Sequence, residues 1–140
     1  MSGEIEALVD TNVLVYAMAR DPPDKHARAR EIVERGFRDG CYAISTQVLF
    51  ELYVTLTRKL AKAVPKEIAL DFVQALSDWP VVDVDAALAL TAIRLSHRAR
   101  ISVWDAAIVE AARRIGCDLV ISEDLSDGQS YEGVRVENPF

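Results

Sequence analysis

Four acidic residues stand where a side chain can do chemistry: Asp10, Glu51, Asp105 and Asp124. Asp10 closes the apolar run at residues 5–9, immediately before a helical stretch. Aspartate favours helix starts, but Thr11 and Asn12 would cap equally well, so capping alone does not single out Asp10. Glu51 lies in Val48-Leu49-Phe50-Glu51-Leu52-Tyr53. At helical spacing it falls roughly 60° outside the apolar stripe of Val48, Leu49, Leu52 and Leu56. Thr55, not a base, stands four residues on, so a carboxylate at this border needs a cation from elsewhere. Asp105 follows Ser102 by three, the spacing of a capping box, which still leaves a first-turn carboxylate projecting from the helix start. Asp124 follows the apolar run at 119–122, with Glu123 and Asp127 as alternates if that strand ends elsewhere. Four such carboxylates brought together repel and raise one another's pKa values. A hard divalent cation held through oxygen relieves this, which favours Mg2+ or Mn2+ over zinc or copper. A centre of that kind can orient water and stabilise charge on a phosphodiester.

The elements that must position these acids alternate along the chain. Residues 5–9 read as a buried strand, followed by a short helix over 13–19 that Asp21-Pro22-Pro23 ends. Asp24 caps a second helix to about residue 35, with Gly36 or Gly40 as its stop. A strand over 42–45 precedes a helix over 46–60, and Pro65 opens another helix to residue 77. A strand at 81–82, helices from Asp85 to 96 and from Ser102 to 115, and strands over 118–122 and 134–137 complete the pattern. Strands separated by helices imply crossover connections, hence an α/β domain with a covered, parallel sheet. Ligand crevices in such sheets lie beyond the carboxyl ends of the strands, where Asp10 and Asp124 fall.

A length of 140 residues suits one domain over 1–140, and 51% hydrophobic with 27% charged residues fills a core unaided by disulfides or structural metals. No stretch reaches the ~20 apolar residues of a membrane span, and Glu4 and Glu6 stand where a signal peptide would carry bases. Cys41, Cys117, His26 and His97 share no zinc-ligand spacing, which leaves two buried free thiols in a reducing cytoplasm. The net charge of −6 disfavours nucleic acid as a sum. Without the four acids, however, the balance is 18 acids against 16 bases, and the objection lapses. Arg58, Lys59, Lys62 and Lys66 form the densest basic stretch, and the first three are candidate RNA contacts; a solvated surface stripe explains them without RNA. Trp104 and Tyr16 suit either base stacking or the core.

The motifs, taken in order, resemble those of PIN-domain ribonucleases, and within them toxins of the VapC type. Asp10-Thr11-Asn12-Val13-Leu14-Val15-Tyr16-Ala17 resembles the family's opening, and Ser45-Thr46-Gln47-Val48-Leu49-Phe50-Glu51-Leu52 its glutamate motif. Ser102-Val103-Trp104-Asp105-Ala106-Ala107-Ile108 resembles the third motif, and Ser122-Glu123-Asp124-Leu125 with Gly128-Gln129 and Asn138-Pro139-Phe140 the fourth segment and tail. The resemblance implies a three-layer α/β/α domain with a central, mostly parallel sheet, acting as a Mg2+- or Mn2+-dependent endoribonuclease. It makes Asp10 and Asp105 principal metal ligands. Asp124 completes the set or holds its water, and Glu51 ligates or positions the attacking water. Asn12 and Ser122 support these from behind, and Asp127 is either a fifth acid or a turn residue. It further implies a cytoplasmic homodimer acting on RNA, with a VapB-type antitoxin as partner. Two alternatives remain: a free-standing RNA-processing nuclease of the same fold, and a non-catalytic acidic metal-binding module.

Overall fold

Short apolar runs flanked by turn residues become strands because they bury both faces, and the longer periodic stretches become the helices that cover them. The computed structural model describes residues 4–140, so the first three residues of the expected domain lie outside the described residues. The strands are β1 (Ala7–Val9), β2 (Tyr42–Ser45), β3 (Val81–Val82), β4 (Leu119–Ile121), β5 (Ser130–Tyr131) and β6 (Val134–Glu137). The helices are α1 (Thr11–Val15), α2 (Pro23–Asp39), α3 (Thr46–Val54), α4 (Lys66–Leu76), α5 (Ala86–Ala99) and α6 (Val103–Ile115). Every residue of β1 and β2 is buried.

The sheet runs β3-β2-β1-β4-β6-β5, with all neighbours parallel except the β5–β6 hairpin. Chain order moves from β1 to β3 on one side, then returns to add β4 on the other side of β1. With right-handed crossovers, that reversal places α5 and α6 on the face opposite α1 to α4, giving the α/β/α layering. It also makes the β1–β4 seam the switch point, where a crevice opens beyond the strand ends. One core runs through both sides of the sheet, from Leu8 and Ile44 to Leu52, Leu95, Ile108 and Val136. Both cysteines are buried and free. Among the described residues no helix is long and apolar enough to cross a membrane.

Four local departures from the sequence reading have physical causes. Helix α2 starts one residue before Asp24 and has no side-chain cap; Pro23 supplies the start by its fixed φ. It passes through Gly36 and stops at Gly40, whose φ of 63° is the left-handed turn that glycine accepts. The expected helix over 46–60 stays α-helical only to Val54 and then widens into a π-turn, Thr55–Lys59. Strand β5 has two residues, too few to carry a periodicity, and joins β6 through Glu132 and Gly133, both at positive φ.

Gly36 has a packing reason for its place inside α2. A Cβ there would intrude on the ring of Trp79, which is buried and meets Phe37 and Tyr42 edge-on or tilted. In an open helix, replacing glycine by alanine stabilises by about 1 kcal/mol. Here Gly36→Ala is expected to destabilise by about 1–3 kcal/mol through overpacking, read as a lower urea midpoint with unchanged slope.

Candidate active site

Asp10 ends β1 at the switch point, and its backbone N–H donates to Ile121 O of β4 at 2.9 Å, locking the two strand ends together. Its carboxylate is 5% exposed and takes three donors. Thr11 N reaches Oδ1 at 2.7 Å, while Ser122 Oγ at 2.8 Å and Asn12 Nδ2 at 3.1 Å reach Oδ2. Asp10 is thus the cap of α1 as well as a candidate site residue. Asn12 also accepts from Glu123 N at 2.9 Å, and Ser122 Oγ accepts from Asp124 N at 3.2 Å. The loop after β4 is therefore held by the same two side chains that hold Asp10.

Glu51 comes from α3, whose start Ser45 caps by accepting from Val48 N. Its Oε1 receives Thr11 Oγ1 at 3.0 Å and Gln47 Nε2 at 3.3 Å. The cation that its border position called for is not what holds it; two neutral donors do. Asp105 sits in the first turn of α6, where Ser102 Oγ accepts from Asp105 N at 3.0 Å. Asp10, Glu51, Asp105 and Asp124 all line one open cavity of about 440 Å³, with Glu123, Thr11, Asn12, Tyr16, Gln47, Thr55, Lys59 and Trp104 in its wall.

Some of the other nominated residues lie outside that lining. Ser122 is buried behind Asp10. Asp127 accepts from Asn138 N at 2.8 Å and so ties the tail to its turn. Of the three basic candidates, Lys59 lines the cavity, whereas Arg58 and Lys62 do not. Trp104 is 64% exposed at the rim, so it is no core residue. Glu123, weighed only as an alternate for Asp124, lies in the cavity beside it, paired with Lys25 and accepting from Tyr16 Oη at 3.3 Å. Thr11 and Gln47 went unnamed as partners of Glu51; the i, i+4 spacing of Gln47 and Glu51 was the available clue.

The family model of the PIN domain matches residues 7–126. The chain belongs to the PIN-domain family. Among solved structures, this PIN domain resembles a toxin–antitoxin complex from Klebsiella pneumoniae, with TM-score 0.71 and 20% identity over 96% of this chain and 98% of that one. It is similarly close to a DNA-bound VapBC from Salmonella typhimurium, with TM-score 0.69 and 22% identity over 97% and 99% of the chains. The Sarcin-Ricin loop cleaving toxin VapC20 of Mycobacterium tuberculosis gives TM-score 0.65 and 22% identity over 85% and 92%. At these identities the likeness is one of fold. No curated protein matches the PIN domain in sequence.

The electrostatics of the PIN-domain cavity follow from its geometry. Burial, above all, pushes the Asp10 carboxyl up to about 6; the Ser122 and Thr11 hydrogen bonds pull it down, and Asp124 and Glu51 push it up again. Asp105 is raised as well, first by burial and then by Asp124, against an opposing pull from Ser102. All of these donors are oxygen, and they repel one another, which suits a hard divalent cation. As the side chains stand, no three His, Cys, Asp or Glu groups among the described residues are close enough to hold a metal ion. The donor chemistry fits such an ion.

With its pKa raised from 3.8 to about 6, folded Asp10 holds a proton that the unfolded chain releases. Its contribution to stability is full below the unfolded value and is lost as pH rises through about 6. In EDTA, the unfolding free energy of wild type relative to Asp10→Ala is expected to fall by about 2 kcal/mol between pH 4 and pH 7. Urea melts of both proteins across that range measure it, and a flat difference contradicts it.

Proposed function

We propose that this PIN domain is a divalent-metal-dependent endoribonuclease, the toxin of a VapBC-type pair. The observation that carries the reading is the convergence of Asp10, Glu51, Asp105 and Asp124, from four separate elements, on one cavity at the switch point. Asp10, Asp105 and Asp124 would hold Mg2+ or Mn2+, with Glu51 beside them. When bound, such an ion supplies the positive charge that a phosphodiester needs as negative charge builds on it.

The chain's own residues do the rest. Asn12 and Ser122 fix the orientation of Asp10 and of the loop that carries Asp124. Thr11 and Gln47 both donate to Oε1 of Glu51, leaving Oε2 without a hydrogen-bond partner among the described residues. On this reading that oxygen would orient an attacking water and receive its proton. The fold-level likeness to VapBC complexes supports a small VapB-type antitoxin as partner, and a homodimer in the cytoplasm follows on the same reading.

The test is cleavage of purified bacterial RNA by the full chain. Cutting is expected with Mg2+ or Mn2+, none in EDTA, and a drop of at least about 100-fold in Asp10→Ala and in Asp105→Ala, the order of loss when a charge-stabilising group is removed. Cleavage that persists in EDTA and in both variants overturns the metal mechanism. Expression of the chain should arrest bacterial growth, and co-expression of a short neighbouring reading frame should relieve it. Growth without arrest favours the free-standing nuclease instead.

A further inference from the structure

Gln47, Glu51 and Thr55 line the cavity at four-residue spacing along one edge of α3 and its continuation. Lys59 is the next residue at this spacing, about 40° from Thr55 at the α-helical pitch, whereas Arg58 falls about 60° to the other side. In the structure Lys59 lines the cavity and Arg58 does not. The π-turn at Thr55–Lys59 ends the helix at that point. Leu60 is already extended, with φ −76° and ψ 145°, so Lys62 cannot continue the row.

Lys59 is also the one basic residue in the wall of a cavity that holds five carboxylates. Lys25 is occupied by Glu123, but the Lys59 ammonium makes no ion pair or hydrogen bond among the described residues. An unpaired cation facing that many acids has no structural partner to serve, and a compact ammonium with three donors suits a phosphate oxygen.

We infer that Lys59, the next residue after Thr55 in this row, is the residue that binds a backbone phosphate of single-stranded RNA beside the carboxylates. The inference rests on the nuclease reading and assigns a substrate contact within it. Arg58, one residue away and of equal charge, has no such role.

Steady-state cleavage of a single-stranded RNA oligonucleotide by the full chain, in Mg2+ across a range of KCl concentrations, tests it. Lys59→Met, which keeps the side-chain length without the charge, is expected to raise KM about tenfold, as loss of a charged hydrogen bond does. It should also flatten the dependence of log KM on log salt by about 0.7, the share of one phosphate contact on a single strand. Lys59→Gln should reproduce both effects, Lys59→Arg should restore the salt dependence, and Arg58→Met should change KM less than twofold. Unchanged KM and salt dependence in Lys59→Met overturns the inference while leaving the nuclease reading intact. So does an Arg58→Met effect as large as that of Lys59→Met. A wild-type chain that cuts no RNA in either metal overturns the nuclease reading, and the assignment of Lys59 with it.

Discussion

A carboxylate at 5% exposure is costly unless donors meet it, and Asp10 is met by three, from Thr11, Asn12 and Ser122. Those donors come from two chain segments more than a hundred residues apart, which the β1–β4 pairing brings together. Satisfying Asp10 therefore fixes the entry to α1 and the exit from β4 in one network. The same Asn12 and Ser122 reach on to Glu123 N and Asp124 N, so the position of the fourth acid depends on the burial of the first.

That network leaves electrostatic repulsion unrelieved. Asp124 and Glu51 both push the Asp10 carboxyl up, and Asp124 does the same to Asp105. On the proposed reading, a divalent cation held by these oxygens would relieve that repulsion. Hydrogen bonds to neutral donors orient the acids without cancelling their charge. Thr11 and Gln47 on Glu51 show the distinction, since a salt bridge there would have neutralised the group. On the proposed reading the protein keeps its bases away from the carboxylates except at two points, the Lys25–Glu123 pair and the unpaired Lys59.

Much of the fold was legible because its signals are local. Buried strands of three or four residues, and Asp85 and Ser102 at helix starts, all act within one helical turn or strand. The elements that escaped are those whose cause lies elsewhere in the chain. Gly36 looked like a stop because glycine usually ends helices, but its bare Cα receives Trp79, 43 residues later in the sequence. The π-turn has no composition of its own, and β5 exists only as the return partner of β6.

The sequence by itself determined the four acids, the order of their motifs and the places of Asp10, Asp105 and Asp124 at strand ends and a helix start, because these depend on residue type and local periodicity. It also narrowed the charge argument, since most of the −6 belongs to those acids. Tertiary structure decided which groups share the cavity. It brought Glu123 in beside Asp124, left Asp127 to tie down the tail, and gave Glu51 two neutral donors. It also decided that the edge of α3 carrying Gln47, Glu51 and Thr55 faces the cavity, which brings in Lys59 at the same spacing and leaves Arg58 out. A single residue of helical register turns a side chain by about 100°, and which edge of a helix faces a cavity is set by packing between elements distant in the chain.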